Sequence, residues 1–335
     1  MPVTTIAAGR AFTYVSNIGK ISRSALGFRH PIGLARGAND VLYVGNWGDE
    51  PQPNCRITKC VVGTQDWIMD IGQAGSGEGQ FLWPGGLVAD KNEVLYVTDQ
   101  ANNKIVGYSK DGKYVAQWGK GGSGDGEFSG PSGIAVDKND NFWIVDTRNH
   151  RVQKFNKSGK FLSKFGVHGN LNGQLNMPWG IALDKDTNVY VADWGNSRVQ
   201  KFSPEGKYLM TFGKPGKGKG EIDHPSAVFV DQDGDVYVAD WGNNRVVIFE
   251  ADGTYLTTLL GDANTLSVWA KMGVDANPDV KKALERADLE PMWRLWRPAA
   301  ILVDDQHRVF IAEAQHMRVQ IYKKDPKHQE AQFTL

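Results

Sequence analysis

Among the residues of this 335-residue chain, seven histidines, eleven tryptophans and a few single-copy charged groups have side chains suited to binding or converting a ligand. Imidazoles and carboxylates move protons. A guanidinium holds a carboxylate or an oxyanion, and an indole offers a flat apolar face with a polar handle. On residue type, His30 or Glu313 reads as a general base and Arg297 as an anion holder, with His224 and His316 as further candidates. Asn46, Trp47, Trp83, Gln100, Met177, Trp179, Trp194, Trp241, Trp293 and Trp296 are the candidate substrate-binding residues. A metal would need three or four convergent ligands. His30 and His224 find no third histidine at an equivalent place, so no cofactor is expected, zinc or calcium being the alternative.

Composition narrows the partners. The chain has 38 basic and 38 acidic side chains, too balanced for general binding to nucleic acid or to a membrane surface. No apolar run approaches the length of a membrane span. Cys55 and Cys60 lie five apart in a β-like run, on opposite faces, and are not expected to pair. Free thiols, and an opening stretch from Met1 to Lys20 that does not read as a secretory signal, point to a cytoplasmic protein.

The elements that must position these residues come from repeats. Pro131-Ser-Gly-Ile-Ala-Val-Asp137 is echoed by Pro178-Trp-Gly-Ile-Ala-Leu-Asp184 and Pro225-Ser-Ala-Val-Phe-Val-Asp231, with weaker copies at Pro31, Pro84 and Pro298. Lys104, Arg151, Arg198 and Arg245 keep the same 47-residue step. Each unit holds short β-rich runs separated by turns such as Asp111-Gly112 and Glu205-Gly206. Six units of four antiparallel strands, a to d, read as an all-β, six-bladed β-propeller forming one domain over 1–335. The blades fall near 31–72, 84–119, 131–166, 178–213, 225–261 and 298–322. The sixth lacks a strand d, which the segment 11–19 from the N-terminal side is expected to supply, closing the ring and removing exposed edges.

Val191-Ala-Asp193-Trp-Gly-Asn196-Ser-Arg198-Val-Gln-Lys-Phe202, and Val145-Asp146-Thr-Arg-Asn149-His-Arg151-Val-Gln-Lys-Phe155, resemble the NHL repeat over nearly the whole chain. That resemblance implies the propeller but not one activity, since NHL propellers include RNA- and protein-binding modules and the zinc-dependent lyase half of the peptide-amidating enzymes. The lyase's ligand histidines follow the strand-a proline in some blades. Here those places hold Ile32, Gly85, Ser132, Trp179, Ser226 and Ala299, so the zinc set is not matched.

Most repeated residues read as structural. The Asp146–Arg151, Asp193–Arg198 and Asp240–Arg245 pairs should tie the b–c loops. Asp231-Gln-Asp233-Gly-Asp235 imitates the opening of a calcium loop, but with its glycine misplaced and Gly242 at the twelfth position it reads as a hairpin turn. Function is sought where copies differ. The residues before each proline (His30, Trp83, Gly130, Met177, His224, Arg297) and two beyond each strand b (Trp47, Gln100, Thr147, Trp194, Trp241, Ala314) share one face. Between blades 5 and 6 the residues 262–297 break the β pattern and read as a helical insertion that caps this face. The b–c loop of blade 1 is also long, Asn46 replaces its repeat aspartate, and Glu313 does so in blade 6. These features point to a lyase or hydrolase acting on a small organic molecule in a capped aromatic cavity. The alternative is a non-catalytic propeller binding a peptide, protein or carbohydrate on its tryptophan-rich face.

Overall fold

A computed structural model describes residues 3–23, 25–49 and 54–329. Blade 1 comprises Pro31–Arg36, Val41–Asn46, Arg56–Val61 and Trp67–Ile71, and blade 2 Pro84–Ala89, Leu95–Asp99, Lys104–Tyr108 and Tyr114–Trp118. Blades 3, 4 and 5 repeat the meander, starting at Pro131, Ile181 and Pro225 and ending at Phe165, Phe212 and Leu259. In blade 6, Pro298–Val303, Arg308–Glu313 and Arg318–Asp325 are completed by Arg10–Ile18, which pairs antiparallel with strand c from Ala11↔Asp325 to Ile18↔Val319. The ring is therefore closed by the N-terminal strand, and Thr4–Ala7 adds a fifth strand outside it. Each strand a packs on the next, that of blade 6 returning to blade 1.

The alternation of apolar residues explains the layers. Strands b and c are buried on both faces, as Val189–Asp193 and Lys104–Tyr108 show, whereas strands d such as Tyr114–Trp118 are half-exposed. Large side chains fill the clefts between blades: Trp143, Tyr43, Tyr108, Tyr190 and Tyr237 are all buried.

The repeat carboxylates act as expected. Asp146, fully buried, accepts from Ser129 N (2.6 Å) and from Arg151 Nε (2.7 Å). Asp193 and Asp240 do the same with Asn176 N and Arg198, and with Asp223 N and Arg245. Each arginine also donates to carbonyls of the d–a connection, as Arg151 does to Ser123, Gly124 and Glu127. One ion pair thus fixes both loops at the same end of a blade.

The calcium-like aspartates are occupied by a side chain. The buried Lys324 ammonium, at the end of blade 6 strand c, lies 2.5 Å from Asp231, 2.7 Å from Asp233 and 2.8 Å from Asp235. It locks blade 6 to the a–b turn of blade 5.

The insertion is helical, and its first helix is bound at the rim. Helix α1 (Val268–Asp275) is capped by Ser267, α2 (Pro278–Arg286) is capped by Asn277, and α3 (Glu290–Trp293) is one turn. Trp269 is buried against Phe28, with ring centroids 5.3 Å apart, and donates to Gln65 O in the c–d turn of blade 1. Ser267 donates to Gly19 O, and Asn17 donates to Thr265 O. These bonds hold α1 on the outer rim, in the groove between strand d of blade 6 and blade 1. The stripe Val280, Ala283, Leu284 and Ala287 stays largely exposed on α2. The aromatic anchor went to the rim because an indole there both fills a cleft and finds an acceptor.

Candidate functional site

Two local devices present side chains at the b–c end of the axis. The first is a left-handed residue before the strand-a proline: His30 (φ 43°), Met177 (φ 47°), His224 (φ 52°) and Arg297 (φ 52°), with Gly130 (φ 67°) in the same place. Left-handed backbone is costly for residues other than glycine. It is held here by a bond from the previous blade, where the last residue of the b–c loop accepts the exposed N–H. Gly130 N donates to Asn103 (2.8 Å), Met177 N to His150 Nδ1 (3.0 Å), His224 N to Ser197 (3.2 Å), Arg297 N to Asn244 (2.9 Å) and His30 N to Met317 Sδ (2.9 Å). The second device is a register irregularity just past that proline, for example between Pro31 and Gly33 and between Pro298 and Ala300. Such bulges re-aim side chains beside functional sites.

Together they frame an axial cavity of about 710 Å³. Trp47, Trp83, Trp179, Trp194 and Trp241 line it, with His30, Gln100, Met177 and Arg297 among them, as sequence analysis anticipated. Trp179, with Ile32, Gly85, Ser226 and Ala299, also borders a second, smaller cavity of about 350 Å³, so this layer marks where the two meet. Trp47 and Trp83 meet edge to face at 6.1 Å. The Arg297 guanidinium lies 4.5 Å over the Trp241 ring.

Other candidates are not brought into the cavity wall. Glu313 is fully buried, 2.6 Å from Arg318 Nε, and accepts from Trp296 N, Gln320 and His316. It is the repeat aspartate lengthened by one methylene, with no free face for a base. His316 is spent on Glu313 (2.9 Å) and on the edge of Trp296. His224 bonds Asp223 (2.5 Å), packs on Trp194 and is not among the residues that line the cavity. Asn46 is buried, accepting from Arg29 N and donating to Val44 O and Thr58. Trp293 packs in the cleft between blades 5 and 6, and Trp296 is exposed beside it. In each case a structural partner, invisible in sequence, claims the group.

His30 remains. Its Nδ1 is 3.0 Å from Ala314 O. A carbonyl only accepts, so Nδ1 carries the proton and Nε2 is the basic nitrogen. Nε2 lies 3.5 Å from Asp49, which Arg29 grips through Nε (2.7 Å) and Nη2 (2.5 Å). Burial pushes the Asp49 carboxyl up, but the Arg29 hydrogen bond and charge, with His30 and Arg23, bring it below the usual carboxylate value. Asp49 Oδ2 is buried without a hydrogen-bond partner among the described residues. Asp49, Arg148 and Gln315, which also line the cavity, were not among the candidates. Asp49 belongs to the lengthened b–c loop, whose residues 50–53 lie outside the described residues, and Arg148 and Gln315 stand one place beyond the ring position read in each blade.

Among the described residues, no group of three or more His, Cys, Asp or Glu could hold a metal ion, and the five positions after the strand-a proline that line the cavity (Ile32, Gly85, Trp179, Ser226, Ala299) carry no histidine. The site does not fit the zinc of the amidating lyases. Both cysteines are free and buried. No helix is long and apolar enough to cross a membrane among the described residues.

The protein is thus a six-bladed β-propeller in which the NHL repeat pattern matches at residues 128–155, 175–202 and 223–249, in blades 3 to 5. No curated protein matches the chain in sequence. Many solved structures share its fold. One, a protein of unknown function from Bacteroides thetaiotaomicron, is 19% identical with a TM-score of 0.64, covering 96% of this chain and 77% of its own. A gluconolactonase from Xanthomonas campestris is 14% identical with a TM-score of 0.61, covering 97% and 95%. Virginiamycin B lyase from Staphylococcus aureus is 11% identical with a TM-score of 0.56, covering 93% and 99%. At these identities the likeness establishes the fold alone.

Proposed function

We propose that the protein is a small-molecule enzyme, a lyase or hydrolase, that works in the axial cavity with His30 moving the proton. The observation that carries this reading is a tautomerically fixed imidazole in the wall of an aromatic cavity. With Nδ1–H held by Ala314, Nε2 takes the proton, and the ionised Asp49 beside it stabilises the imidazolium that forms. The five indoles hold the apolar part of the substrate. That a lyase and a lactonase use the same fold agrees with this reading without carrying it.

Among the described residues, none of 262–296 lines the cavity, and this favours a second reading: a propeller that binds the same small molecule without converting it. Turnover of a panel of lactones, aryl esters and β-eliminating substrates by wild type and His30→Gln separates the two. A general base contributes about 10²–10⁴-fold, so the first reading expects at least about a hundredfold loss in kcat with unchanged melting. Turnover that survives His30→Gln would refute the assignment of His30. Ligand binding with no turnover would establish the second reading.

A further inference from the structure

The cavity wall has a charge character that the aromatic residues alone do not give. Arg148 and Arg297 both line it, and neither has a carboxylate within ion-pair distance among the described residues. Every other arginine does, except Arg286 on the exposed α2; Arg29, beside the cavity, is fully used by Asp49. Arg148 lies over Gly130, with its Nε 3.4 Å from where a Cβ would stand. Arg297 is held on Trp241 and turned inward by its left-handed backbone. Finally, none of the five indole N–H groups donates to a described residue: the indoles with acceptors are Trp67, Trp143 and Trp269, all elsewhere.

An aromatic box alone would welcome an organic cation through its ring faces. Two unpaired guanidiniums on opposite blades, 3 and 6, reverse that preference, because each repels a cation and each can form a charge-assisted, two-point bond with an oxyanion. Asp49 does not offset them, being neutralised by Arg29. We infer that the molecule the cavity takes is an apolar or aromatic ring bearing a carboxylate or similar oxyanion, with the ring on the indole faces and the oxyanion on Arg148 or Arg297. This rests on the reading of the axial cavity as a small-molecule site and adds the ligand's charge.

Three probes with one ring system test it by calorimetry on the full chain: 1-naphthoate, 1-naphthamide and 1-naphthylmethylammonium. The expected order is naphthoate tightest, by about tenfold over the amide, the factor for a net charge-assisted hydrogen bond at a partly exposed site. High salt should narrow that gap. Arg148→Met and Arg297→Met should each weaken naphthoate by about fivefold or more and leave the amide unchanged, while Arg286→Met changes nothing. If the amide binds as tightly as naphthoate, or the ammonium more tightly, the inference about charge is overturned and the small-molecule cavity stands. If none of the three binds, the cavity reading itself is overturned.

Discussion

Replacing Lys324 by methionine removes the charge that ties blade 6 to blade 5 while keeping the length of the side chain. The ammonium is buried against Asp231, Asp233 and Asp235, and among the described residues the cluster also holds Arg10, 2.8 Å from Asp235, and the His307 imidazole, 3.4 Å from Asp233. In the variant three carboxylates face one guanidinium and this imidazole. Removing one partner of a buried ion pair costs about 3–5 kcal/mol. At about 2 °C per kcal/mol for a chain of this size, Tm at pH 7 should fall by about 6–10 °C. The pH dependence identifies the cause. Burial raises the Asp233 carboxyl, but hydrogen bonding and charge from Lys324, then His307 and Arg10, bring it below its ordinary value near 4. A depressed carboxylate stabilises the fold above its unfolded pKa, and that support fades as pH falls through the folded value. The variant loses this support, so its deficit should be full at pH 7 and should narrow below about pH 4. Burial lowers the Lys324 pKa, yet the three aspartates raise it above its ordinary value. Its own contribution is therefore complete below pH 10 or so and is lost only as pH rises through the folded value. Scanning calorimetry at pH 7 and near pH 4, with the double variant Lys324→Met/Asp233→Asn alongside, decides the matter. The double variant should regain part of the loss. A drop under about 2 °C at pH 7, or a deficit independent of pH and untouched by Asp233→Asn, would refute the charge argument and leave packing as the cause.

Two further outcomes follow from the same geometry. Glu313→Gln keeps the shape of the side chain but breaks the buried pair with Arg318, and should cost about 3–5 kcal/mol of stability; naphthoate binding should persist, and lost binding or turnover with unchanged Tm would return Glu313 to the active site. Exchanging residues 277–288 for a short Gly/Ser linker removes the exposed α2 but keeps Trp269 and Leu295 buried; Tm should change by about 1 °C or less, as for surface changes of about 0.5 kcal/mol, and affinity for naphthoate should not move. A large change in affinity would mean that the insertion reaches the mouth after all.

The architecture was legible because it is written in the backbone's own requirements. Prolines at strand starts, Asp-Gly and Ser-Gly turns and a buried Asp–Arg pair recur at 47 residues, and each needs its residue type wherever it appears. The cavity's aromatic wall was legible for the complementary reason: Trp47, Trp83, Trp194, Trp241, Met177 and His30 fill places where the copies disagree. Illegible were groups whose partners come from another blade or from far along the chain. Glu313 looked like a departure from the repeat but keeps the repeat's ion pair. His150 carries no sequence signal for its role either: its Nδ1 accepts Met177 N–H just as Asn103, Ser197 and Asn244 serve their neighbours; burial and the adjoining His168 ring, 4.3 Å away, lower its pKa, consistent with a neutral acceptor. Lys324 had no sequence signal linking it to an aspartate motif some ninety residues earlier.

The exception among the loop-end acceptors shows how the site can vary without loss of the fold. In five junctions the residue before strand c is left-handed and accepts the N–H that precedes the next proline: Asn103, His150, Ser197, Asn244 and Met317. In blade 1 that place is Cys55, at the end of the lengthened loop, and its thiol donates to Leu82 O instead. A thiol is a weak acceptor, and without an acceptor the left-handed turn is not supported. Accordingly Trp83 has no positive φ, and its N–H goes to Asp99 of its own blade. The blade whose loop supplies Asp49 to the cavity is therefore also the one whose junction relaxes and lets the Trp83 ring meet Trp47 edge to face. Since the junction bonds use a backbone N–H and a side chain of the previous blade, the side chain that the left-handed residue presents to the mouth is left out of the structural requirement. Histidine, methionine, arginine and glycine all occupy it. The scaffold thereby holds the backbone at five of the six positions around the cavity while leaving the chemistry of each free, which is why asymmetry appears there.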